Sequence, residues 1–186
     1  HPHVIPLESR HVNSEGYGAV SLSDLVRNAL RMRADRIVVG EVRGIEVLDM
    51  LQAMNVGHDG SLTTLHANSP KDVISRMETL ALMGERGFSR DAIRQMIAAS
   101  VQLIVQVMRF RDGSRRIVSI CELVRHDDNN EIRELFTFRH ATANEHDDIK
   151  GEHVASGQRT ELATKVEAKG YTSEQFNTLL QVETSC

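Results

Sequence analysis

Residues 36–44 read Arg36-Ile37-Val38-Val39-Gly40-Glu41-Val42-Arg43-Gly44, and this stretch decides the fold. Ile37 to Gly40 predict a buried strand with a carboxylate, Glu41, at its C-terminal tip. An α/β sheet keeps its ligand crevice outside the carboxyl ends of its strands, so an acid at that tip is placed for chemistry. Helix-start signals on both sides make the strand the middle of an αβα unit. Nucleoside triphosphatases end an apolar strand in a carboxylate to hold Mg²⁺ or to orient the attacking water. The plainer alternative is an ordinary strand closed by a solvated Glu.

Working outward, Val4 to Leu7 predict a short strand or extended segment, followed by a polar loop through Gly16 and Gly18. Ser21 with Asp24 three residues on is a capping-box start for a helix to about Arg33, with Arg27 and Arg31 on a solvated face. A second helix, from about Gly44 to Asn55, carries Val47, Leu48, Leu51 and Met54 at helical spacing. Ser61 to His66 predict another strand. Ser69-Pro70-Lys71-Asp72 opens a third helix, and Ser89 caps a fourth through about Ala99. Val101–Val107 and Ile117–Val124 are strands joined at Asp112-Gly113, a hairpin signal, and Glu131–Phe138 is the next strand. Residues 139–150 predict a polar linker. Thr160–Lys169 and Thr172–Leu180 predict two short helices, the second opened by Thr172 and Gln175. The fold class is therefore α/β, a mostly parallel sheet flanked by helices, with an antiparallel β-meander and short C-terminal helices.

Composition bounds the function. At 186 residues the chain fits one domain, or one plus an appendage, with 40% hydrophobic and 26% charged residues. A net charge of −4 leaves no global nucleic-acid footprint, so no nucleic-acid partner is expected. Two cysteines, Cys121 and Cys186, make no disulfide framework and fit a reducing cytosol. No apolar run approaches the ~18 residues of a membrane span, and no signal peptide is evident. The opening His1-Pro2-His3-Val4-Ile5 reads as though cut from something longer. His1, His3 and His11 sit in that loose start, and His126-Asp127-Asp128 and His146-Asp147-Asp148 are turn and linker composition; no metal site is expected. Met32, Met50, Met54, Met77, Met83 and Met96 are read as packing residues.

The second constellation is Gly60-Ser61-Leu62-Thr63-Thr64-Leu65-His66-Ala67-Asn68-Ser69-Pro70, which puts hydroxyls and an imidazole at a strand exit. His66 can donate a hydrogen bond and carry charge near neutral pH, which suits contact with a terminal phosphate. Backbone capping of the strand end is its alternative role. Neighbouring strand tips converge on one ligand when both end in polar groups.

Leu30-Arg31-Met32-Arg33-Ala34-Asp35-Arg36 through Gly44, then Asp49–Asn55 and Gly57-His58-Asp59-Gly60-Ser61, resemble the type II/IV secretion and type IV pilus ATPase superfamily. The likeness is greatest to the CpaF-type ATPases of tight-adherence (Flp) pilus systems. It is strong over about residues 4–125 and weaker over Gly151–Gln175. It implies a RecA-like core in which the strand ending Gly40-Glu41 is the Walker B element and Gly60–Asn68 contains the His box. By the same resemblance Glu41 positions water and the Mg²⁺ shell, and His66 stands near the γ-phosphate. Arg43 and Arg10 add charge to the nucleotide site, as guanidinium groups do where phosphoryl transfer spreads negative charge. A surface or interface salt bridge is the alternative for each arginine.

One departure from the family matters. No G-x-x-x-x-G-K-[ST] loop occurs, and the chain has no Gly-Lys pair at all. Backbone amides and a lysine for the phosphates are thus missing from these residues. The N-terminal part of the fold is expected to be absent. Residues 1–138 are then a partial RecA-like ATPase core, with Walker B and His box but no Walker A, and 139–186 a linker and small helical segment. The complete protein is expected to use ATP and Mg²⁺ as a hexameric ring at the cytoplasmic face of the inner membrane. There it would contact a membrane platform protein and power pilin or protein export. The chain alone is expected to bind ATP feebly and not turn it over. A catalytically inactive subunit-binding module and a DNA-handling RecA-like ATPase are the competing classes; the latter has no need of a His box.

Overall fold

The computed structural model describes residues 3–84, 87–126, 130–140, 149–158, 160–170 and 172. The chain divides into two compact units, residues 1–68 with 72–100, and residues 69–71 with 101–186. The expected boundary at 138/139 falls inside a strand, because the meander pairs across it.

In the first unit, helix α1 (Leu22–Ala29) starts at the expected capping box. Ser21 Oγ donates to Asp24 Oδ2 at 2.6 Å while accepting from the Asp24 amide at 3.2 Å. That hydroxyl first, and the Ser21 amide second, hold the Asp24 carboxyl below its ordinary value. Since the folded value lies under the unfolded one, the cap contributes fully above the ordinary aspartate range and is lost as pH falls through the folded value. The amide resonances of Ser21 and Asp24 are expected to titrate together with a midpoint below that of an unstructured aspartate. Ser21→Ala should move that midpoint upward.

Strand β1 (Val38–Val39), helix α2 (Glu46–Asn55) and strand β2 (Leu62–Thr63) form a parallel βαβ unit. The strand at residues 37–40 is half-buried rather than buried. Ile37 and Val39 point into the core, but Val38 and its register partner Leu62 are 70% and 61% exposed. Two strands leave one face of their pleat uncovered, and the period-2 alternation puts Val38 on that side. Helix α2 is buried nearly all round, with Val47, Leu51 and Ala53 fully enclosed, and packs against α1 and α4 (Arg90–Ser100). Ser100 Oγ donates to the Leu51 carbonyl at 2.9 Å, tying the end of α4 to α2. Ser89 caps α4 through the Ala92 amide, as its sequence position predicts.

Two buried acids take arginine partners, one of them Arg27 of the expected solvated face. Arg27 Nε lies 3.3 Å from Asp49, a buried acid of α2. Helix α3 (Pro70–Leu82) carries the buried Glu78, which faces Arg94 at 2.7 Å and Arg90 at 3.2 Å. Met50 and Met77 pack in the core as expected, whereas Met32 and Met83 are exposed. Val4 to Leu7 form no strand and are exposed. Instead Arg10 and Val20 exchange two backbone hydrogen bonds, at 2.9 and 2.8 Å, closing the Asn13–Gly18 loop.

The second unit is an antiparallel meander of β3 (Leu103–Arg109), β4 (Arg115–Arg125), β5 (Asn130–His140) and β6 (Gly151–Ala155), followed by α5 (Leu162–Ala168). The β3–β4 hairpin turns at Asp112-Gly113, where Gly113 supplies a φ of +80° and Asp112 accepts from the Ser114 amide. Strand β6 directly follows the expected 139–150 linker, in a stretch for which the sequence predicts no element. Its Gly-Glu-His start is poor strand sequence, and it is held by register with β5 from Phe136 to His140. Gly151 is required there, because a Cβ would collide with the Arg139 carbonyl and the Phe138 ring. The second expected C-terminal helix, Thr172–Leu180, lies outside the described residues beyond Thr172 itself, as do residues 141–148 of the linker. Among the described residues no helix is long and apolar enough to cross a membrane.

Candidate functional site at the tips of β1 and β2

Backbone pairing carries the two strands past their formal ends. The Leu62 amide donates to the Ile37 carbonyl at 3.1 Å, and the Val42 amide donates to the Thr64 carbonyl at 3.1 Å. Side chains reinforce both limits of this ladder: Ser61 Oγ accepts from the Ile37 amide, and Thr64 Oγ1 donates to the Gly40 carbonyl at 2.6 Å. Glu41 and the Thr64–His66 segment are thereby held side by side at the carboxyl ends of adjacent parallel strands.

The geometry joins three of the four sequence candidates. Arg43 Nη2 sits 2.5 Å from Glu41 Oε2, and His66 Nε2 sits 3.1 Å from Glu41 Oε1. The Glu41 side chain is 22% exposed, while those of Arg43 and His66 stand largely in solvent, at 77% and 88%. Oε1 is shielded, and although His66 is within ion-pair distance no donor is aligned on that oxygen. It is an unpaired acceptor that a water or ligand proton reaches only when the side chains covering it swing aside. The hydrogen bond from Arg43 holds the Glu41 carboxyl below the ordinary carboxylate range; burial opposes it, and the charges of Arg43 and His66 add to it. The same contact pushes the Arg43 guanidinium up. Glu41 is thus an ionised acceptor at neutral pH.

Arg10 is not brought to this cluster by any contact; its Nε donates to the Gly18 carbonyl at 2.7 Å, within its own loop. Sequence reasoning missed Glu46 and Thr64. Glu46 Oε1 accepts from the Arg43 amide at 2.6 Å and the Gly44 amide at 2.9 Å. The available signal was an acid in the first turn of α2, a favoured place for one. Among the described residues no group of three or more His, Cys, Asp or Glu side chains could hold a metal ion, so Glu41 would meet a cation only alongside other ligands.

Polar groups gathered at the carboxyl ends of parallel strands define the class, an α/β protein with its site at the strand tips. Residues 3–170 match the family model described as type II/IV secretion system protein, and the chain belongs to that family. A protein of Mycobacterium tuberculosis named for conjugal transfer, Rv3659c, is 51% identical over 123 residues, which are 66% of this chain and 34% of that protein. The type IV secretion system protein VirB11 of Bartonella quintana is 33% identical over 110 residues, 58% of this chain and 31% of its own. Among solved structures, the VirB11 ATPase of the Brucella suis type IV secretion system, crystallised with sulphate, is similar at a TM-score of 0.52. It shares 31% identity and covers 55% of this chain and 32% of that one. The α/β, RecA-like fold class therefore stands. The chain spans about a third of the length of the relatives it matches.

Proposed function

We propose that these residues form the Walker B and His-box portion of a motor ATPase that couples ATP hydrolysis to pilin or protein export, of the CpaF type. Glu41 is the acid that orients and deprotonates the attacking water, with Oε1 as its unpaired acceptor once the exposed side chains around it make room. His66 donates toward the terminal phosphate, and Arg43 and Arg10 supply positive charge where the transferred group gathers negative charge. When bound, Mg²⁺ supplies further neutralisation of the β- and γ-phosphates. Glu41, Arg43 and His66 fit the terminal-phosphate end of ATP and not its α/β end, since the sequence has no Gly-Lys loop. The working form is a homo-oligomeric, hexameric ring, cytoplasmic and peripheral to the inner membrane, engaging a platform protein there.

The observation that carries this reading is the convergence of Glu41, Arg43 and His66 at neighbouring strand tips. A second reading is a catalytically inactive module that only docks on related subunits; the 186 residues themselves contain no Gly-Lys loop. A coupled ATPase assay separates them. The chain alone should show no turnover. The chain fused behind the residues that precede the matched segment in the mycobacterial relative should hydrolyse ATP. Turnover by the chain alone at a motor's rate would contradict the missing cradle. A folded fusion that binds ATP without hydrolysing it would leave the docking module.

A further inference from the structure

We propose that Glu46 is a positioning residue that keeps the Arg43 guanidinium on Glu41. The residue capping the start of helix α2 is Ile45, which offers no side-chain cap of its own. Glu46 reaches back instead, and one carboxylate oxygen accepts the Arg43 and Gly44 amides at 2.6 and 2.9 Å. Hydrogen bonds to an ionised acceptor are the strong ones, and a negative charge in the first helical turn is further favoured by the helix dipole. The turn from Glu41 to Gly44 is therefore pinned at the residue whose side chain folds back onto Oε2 of Glu41.

Pinning matters because, among the described residues, Glu41 is the one partner of the Arg43 side chain. That side chain is 77% exposed, so packing does not confine it. An exposed ion pair nets only about 0–1 kcal/mol, largely because two long side chains give up rotamer freedom to make it. Fixing the backbone origin of one of them removes part of that loss. Gly44 is part of the same device: a Cβ there would lie 3.0 Å from Glu46 Oε2, so a side chain at this position pushes the carboxylate off its place by a few tenths of an ångström. Through the backbone, Glu46 sets how much of the time Glu41 carries its arginine. It touches no reacting atom itself.

This inference rests on the reading of Glu41 as the reacting acid, but its test does not use turnover. In the full chain labelled with ¹⁵N, the order parameter of Arg43 Nε–H is measured beside those of Arg94 and Arg27. Glu46→Ala should lower the Arg43 value relative to those of Arg94 and Arg27, and speed exchange of the Arg43 and Gly44 amides roughly tenfold. Arg94, paired with Glu78, should not change and reports that the fold is intact. Glu46→Gln keeps an acceptor oxygen and should retain most of the order. A general loss of structure would lower all three arginines together. Should Glu46→Ala not fold, Gly44→Ala is expected to loosen Arg43 alone. Unchanged Arg43 order in either folded variant overturns the proposal, whereas failure of the functional reading would appear only as undiminished turnover in Glu41→Gln.

Discussion

Replacing Glu41 by Gln in an ATP-hydrolysing protein that carries these residues is expected to lower turnover about 10²–10⁴-fold, the range of a positioned acid–base group. Gln has the same shape and can still accept from Arg43, so the turn from Glu41 to Gly44 stays in place. What disappears is the charge, and with it the ability of Oε1 to take a proton from water. The loss should therefore fall on kcat, with the KM for ATP little changed, as for an interaction made only in the transition state. Stability should barely move, because the partners of Glu41 are exposed. His66→Ala removes a single donor and should cost up to about 10²–10³-fold. Steady-state kinetics on the three proteins decide the matter. A Glu41→Gln enzyme within threefold of its parent would leave the carboxylate a structural anchor for Arg43 and nothing more.

The juxtaposition of Glu41 and His66 is legible in the sequence for a geometric reason. Two parallel strands joined by one helix lie side by side with their carboxyl ends together, so residues at the two tips must meet even though 25 positions separate them. Arg43 follows from being two residues beyond the acid. Arg10 does not follow: its local fate depends on Gly16 and Gly18, which turn the chain so that Arg10 meets the Gly18 carbonyl instead. Buried acids were equally hidden. Nothing in the sequence singles out Asp49 or Glu78, and only the crossing of a second helix supplies Arg27 or Arg94 and encloses the carboxylate. Propensity gives no signal for a strand at Gly151–Ala155, where the neighbouring strand imposes an extended conformation on weak strand formers. The exposure of Val38 and Leu62 is likewise invisible to composition, which cannot say how many layers cover a sheet.

The largest stability effect is expected at Glu122, an acid set within the apolar run of β4 and 3% exposed. Its Oε1 accepts from Thr160 Oγ1 at 2.9 Å, the Glu161 amide at 3.0 Å and the Leu162 amide at 3.1 Å. These donors open α5, whose first amides have no partners inside the helix. Arg133, the register partner on β5, stands 3.9 Å from Oε2, a distance too long for a hydrogen bond. The acid is therefore held mainly by the start of the helix, and the helix by the acid. Glu122→Ala strands a hydroxyl and two amides in a site that water reaches poorly and opens a cavity in the sheet. Each hydrogen bond to a charged acceptor contributes about 1.5–3 kcal/mol, and their shared oxygen makes the sum less than additive. A loss of about 3–5 kcal/mol in the second unit is expected, read as a lower urea midpoint with an unchanged slope. Glu122→Gln retains an acceptor and should lose markedly less. The local signature is faster amide exchange at Glu161 and Leu162, well before the β4–β5 amides open. If those two amides exchange as in the parent while the midpoint falls, the carboxylate supports the sheet through Arg133 and α5 is anchored by its apolar contacts.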